Sequence, residues 1–328
     1  MPGTQPSHHK INNHRDREIA VMTRFRCVLP LLGLLYVANA SSAESPGNFP
    51  LRCQSDDGFL HILSDRDLDP ARCKSHVARV LKAYAFVTER SGWKDRGPLT
   101  AQPLKFSVLG DPALKVLGYA QGPNLMVMKD AYMDNPLSEG TLAHELAHIQ
   151  DFRQLKGKRM PSFMFEGRAL TIGQAYRVSI GQPLGDYDRQ MARSAAGFTP
   201  DGALALLENY QGRGWDNQAV GTVVVEYMRT RWKGGIAEIS TRLSRMIERI
   251  AAGREFDLAF QDEFGESAEK FADAFLGFLR ATQTDPKQRL AGTMWQSVDI
   301  SAAPAKPSQA SQDAYVGDVT DLVWELLR

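Results

Sequence analysis

Residues Thr141–Phe152 read TLAHELAHIQDF, and this stretch limits the possible folds more than any other. His144 and His148 stand four apart, the spacing that puts two side chains on one face of an α-helix. On such a face both imidazoles can point at a single ion, with Glu145 beside them. Two ring nitrogens suit Zn²⁺, which accepts nitrogen and oxygen donors in a tetrahedral site. The plainer alternative is a helix carrying two satisfied surface histidines.

A catalytic zinc needs a third protein ligand and one open position. Beyond Ala43, where an export signal described below ends, the histidines are His61, His76, His144 and His148, and none follows the motif. The metzincin pattern is excluded, because it needs a histidine where Gln154 stands. The best third ligand is Glu166, in PSFMFEGRAL, 18 positions past His148. That interval leaves room for a helix end, a loop and an antiparallel return. Phe163, Met164, Phe165, Ala169 and Leu170 surround it with apolar neighbours, where a carboxylate needs a partner. An ordinary acidic residue near a helix start is the alternative.

HExxH followed by Pro-x-aromatic-apolar-x-Glu-Gly-x-Ala resembles the gluzincin metallopeptidases of the aminopeptidase-like branch, the peptidase MA-like family. HELAH and PSFMFEGRA carry the resemblance, and the segments from Val220 and from Phe256 extend it over roughly residues 100 to 280. It implies a zincin-like metallopeptidase fold and Zn²⁺ held by His144, His148 and Glu166. It also implies that Glu145 takes a proton from the zinc-activated water and passes it to the departing nitrogen. The strand Leu125–Lys129 takes the place of the family's edge strand, to which an extended peptide adds; a plain core strand is the other reading. Many relatives carry an oxyanion-stabilising tyrosine where this chain has Gln218, whose amide can donate that hydrogen bond as a weaker acid, with Tyr210 and Tyr227 as alternatives. An acidic residue four positions after the third ligand, kept by some gluzincins, is replaced by Leu170. Asp151 shares a helix face with His144 and could orient a ligand, or could be a solvated residue near a helix end.

The compartment is readable too. From Met22 the chain runs through Arg24 and Arg26, an apolar stretch from Cys27 to Val37, and small residues at Ala38–Ala43, the layout of a secretory signal peptide. The expectation is a periplasmic or secreted protein with no stable membrane anchor after cleavage. Cys53 and Cys73 remain, and a disulfide between them is the natural reading in an oxidising compartment, with two buried thiols as the alternative. A net charge of +1 offers no argument for nucleic acid, so the expected partner is a peptide or protein substrate.

Helical spacing marks the segment after Cys73, the motif segment up to Gly157, a segment after Pro161, and four more between Asn217 and Thr282. Residues 103–110 and Leu125–Lys129 read as strands. The predicted fold class is α+β: a small mixed sheet, the motif helix against it, and a mostly helical C-terminal subdomain. The expected layout is an export signal over 1–43, a disulfide-containing segment over 44–98, a catalytic domain over 99–282, and a linker or tail over 283–328. A zinc-binding scaffold of the same fold without turnover is the competing functional expectation.

Overall fold

The computed structural model describes residues 46–91, 103–110, 117–158, 160–182, 186–209 and 214–290. The expected export signal and most of the expected tail lie outside them. Five strands form one mixed sheet: β1 (Leu51–Gln54), β2 (Leu60–Ser64), β3 (Leu104–Leu109), β4 (Gly118–Gln121) and β5 (Leu125–Lys129). Their order is β1-β2-β3-β5-β4, with β2, β3 and β5 parallel and the two outer strands antiparallel to their neighbours. The α+β class is therefore observed. The segment expected over 44–98, with its disulfide and helix, also supplies two strands of this sheet.

β5 reads LMVMK without alternation because both its faces are covered. Met126 and Met128 face the main core, while Leu125 and Val127 face a small cluster with Phe49 and Tyr119. This corrects the edge-strand expectation for Leu125–Lys129. It is paired on both sides, and the free edge belongs to β4.

Helix α1 (Pro70–Ser91) buries Val80, Ala83 and Val87 on the sheet, and the Cys53–Cys73 disulfide ties it to β1. A short α2 (Asp130–Met133) leads into α3 (Ser138–Leu155), which carries the histidine motif. α3 stops where Lys156 and Gly157 both turn left-handed, with φ of 50° and 82°. Next comes α4 (Ser162–Ser179), buried along nearly its whole length. Its first turns join a helical core and its later turns join the sheet core, so it shows no single apolar stripe.

The helical part continues with α5 (Asp186–Gly197), α6 (Pro200–Asn209), α7 (Gly214–Arg231), α8 (Ile236–Ala251), α9 (Phe256–Phe264), α10 (Ala268–Ala281) and α11 (Pro286–Leu290). The last of these corrects the tail boundary expected at residue 283. Leu290 is buried, and the buried Arg289 guanidinium donates to the carbonyls of Ala196, Phe198 and Leu279. Among the described residues no helix is long and apolar enough to cross a membrane.

His76 of α1 is buried beside Asp130, with 4.0 Å between Nε2 and Oδ1. Burial and then the Arg72 charge push its pKa down to about 4, against 6.5 for a free imidazole. The unfolded chain therefore binds the extra proton between those values, and stability falls as pH drops through that window. We expect His76→Leu to remove about 2 kcal/mol of the stability difference between pH 7 and pH 4.5. Urea unfolding of both proteins at the two pH values checks it; equal pH dependence would refute it.

Candidate metal centre

Helical spacing brings His144 and His148 together as expected. Their Nε2 atoms are 2.9 Å apart, and both rings are buried. α4 runs back against α3 and delivers Glu166, whose Oε2 lies 3.4 Å from His144 Nε2 and 3.5 Å from His148 Nε2. Donors about 2.0–2.1 Å from a tetrahedral ion stand about 3.3–3.4 Å from one another. The three atoms thus have the mutual spacing of one face of such a coordination shell.

Glu145 also offers an oxygen within 4.8 Å of the histidine nitrogens. A buried His144, Glu145 and His148 cluster could therefore hold a metal ion by itself. Glu166 Oε2 stands close enough to both rings to join them around one ion. Glu145 then remains beside the site, with the Ala120 amide of β4 against its carboxylate.

The electrostatics follow from burying four titratable groups together. Burial pushes the Glu145 carboxyl up, and the Glu166 charge adds to this. Burial opposes ionisation of Glu166 as well, but the two imidazoles outweigh it and hold its carboxyl well below the usual range. Burial also opposes the His148 cation, yet the surrounding carboxylates raise its pKa.

No family model matches the sequence, and no curated protein matches it.

Helix packing decides how Glu166 arrives. A Cβ on Gly167 would lie 2.1 Å from the Gly221 carbonyl carbon, and one on Gly221 would lie 1.8 Å from the Phe163 oxygen. α4 and α7 therefore cross backbone to backbone. A second close approach joins α3 to α4, where a Cβ on Gly173 would lie 2.6 Å from the Gly140 oxygen. Each helical glycine costs roughly 0.5–1 kcal/mol relative to alanine, and that cost was the available sequence signal for these crossings.

The same crossing orients Gln218. Its Nε2 donates to Glu166 Oε2 at 3.2 Å, which sets the Gln218 amide beside the His144, His148 and Glu166 cluster. Tyr227 sits nine residues further along α7, about 13 Å at helical rise, and packs on Phe271, Phe275 and Phe278. It does not substitute at the site. Tyr210 lies outside the described residues.

Two residues next to Glu166 on α4 tie it to α3. The Phe165 ring stacks on His148, with centroids 4.1 Å apart and planes at 19°. Arg168 forms a buried ion pair with Asp151. Asp151 is therefore not the solvated helix-end residue of the plainer expectation.

Proposed function

We propose that this protein is an exported zinc peptidase of the gluzincin type. The observation that carries this reading is the convergence of His144 Nε2, His148 Nε2 and Glu166 Oε2 at 2.9–3.5 Å. Two imidazoles and one carboxylate match a catalytic donor set, which keeps a position open. Bound there, zinc supplies a Lewis acid and makes a water acidic enough to lose a proton near neutral pH.

The protein's own residues supply the rest. Glu145 accepts the water proton and delivers it to the departing nitrogen. Gln218 and Phe165 hold the Glu166 carboxylate and the His148 ring in place. The free edge of β4 offers an extended peptide a strand to pair with, beside Glu145. The Cys53–Cys73 disulfide supports an oxidising compartment, in line with the signal-like segment from Met22.

The direction of Gln218 toward Glu166 favours one second reading, a zinc-binding scaffold of the same fold that does not turn over peptide. Zinc titration joined to digestion of an unbiased peptide library separates the two. Glu166→Ala is expected to weaken zinc binding by more than the 10–100-fold typical of losing an outer-shell partner. Unchanged zinc affinity in that variant would remove Glu166 from the site and the peptidase reading with it.

A further inference from the structure

We propose that Arg168 and Asp151 are positioning residues that set the gap between His148 and Glu166, an inference that rests on the zinc reading above. Arg168 lies two residues after Glu166 on α4, and Asp151 lies three residues after His148 on α3. Their ion pair joins the two donor helices within one turn of each donor. The side chains are 1% and 0% exposed, so the contact is shielded from water and salt.

The guanidinium is held on its other arm as well. Arg168 Nη2 donates to Ser244 Oγ of α8 at 3.1 Å, and Ser244 Oγ donates to the Ser91 carbonyl at the end of α1 at 2.7 Å. A planar fork fixed at both arms leaves α4 little freedom to rotate or slide. Rotation of α4 is the motion that would swing Glu166 away from the two rings.

A buried ion pair is a poor device for stability alone, since apolar replacements of similar volume are often as stable or more so. It is a good device for geometry, which a metal site needs to about half an ångström. Asp151 also keeps Oδ2, and His148 keeps Nδ1, as buried atoms without a hydrogen-bond partner. A histidine that binds metal through Nε2 carries its proton on Nδ1 and needs an acceptor there. The two atoms do not bond each other, so the Arg168–Asp151 pair acts on the gap through the helices it joins and not through a contact with the His148 ring.

The test uses the full chain, Zn²⁺ affinity by chelator competition, the visible spectrum of the Co²⁺-loaded protein, and thermal melting without metal. The double variant Asp151→Leu/Arg168→Met is expected to melt at or above the wild-type temperature, bind Zn²⁺ 10–100-fold more weakly, and change the Co²⁺ spectrum. Wild-type affinity and spectrum in that folded variant would overturn the positioning role. If the double variant does not fold, Asp151→Asn decides: about tenfold weaker binding supports the role, and binding within twofold of wild type overturns it. A wild-type protein that takes up neither ion overturns the zinc reading and this role together.

Discussion

Glu145→Gln is expected to keep zinc and to lose peptide hydrolysis by about a thousandfold, within the 10²–10⁴-fold range of general acid–base catalysis. The substitution keeps the size of the side chain and removes its proton-accepting carboxylate. Glu145 is buried at the free edge of the sheet, with the Ala120 amide against it, and burial makes its carboxylate more basic than usual. The variant should fold at least as well as the wild type, since it removes a buried charge. Metal content and cleavage of fluorogenic peptides measure both effects. Hydrolysis at the wild-type rate would exclude Glu145 as the base, and a wild-type protein that binds zinc without cleaving anything would favour the scaffold reading.

Gly221→Ala is expected to lower stability by about 3 kcal/mol, at the upper end of overpacking costs. The new methyl would sit 1.8 Å from the Phe163 carbonyl oxygen, and backbone cannot step aside as a flexible side chain can. α7 has to move off α4, which also draws Gln218 away from Glu166. Zinc affinity should therefore fall together with the melting temperature. Gly277→Ala is the control, because a Cβ there meets nothing within 4 Å and α10 gains a better helix former. Its melting temperature should rise slightly. Equal melting of Gly221→Ala and wild type would show that α4 and α7 are not locked at this crossing.

What was legible in the sequence was local. The helical face shared by His144 and His148, the strands β3 and β5, the later helices and the two cysteines that pair all follow from spacing within a few residues or from simple counting. Glu166 was reachable because its apolar neighbours required a partner for a carboxylate. β4 was too short to declare itself, and only pairing with β5 makes it a strand. The edge position then passed to it from β5, whose apolar run is the mark of a strand covered on both faces.

The sequence by itself determined which side chains were available to a metal and that two of them share a helix face. The tertiary structure alone decided that Glu166 meets both rings, that Gln218 reaches Glu166, and that Asp151 pairs with Arg168. The physical reason is that residue spacing constrains neighbours along one helix, whereas contacts between helices depend on how closely their backbones approach. Here that approach is set by glycines whose only contribution is the side chain they lack.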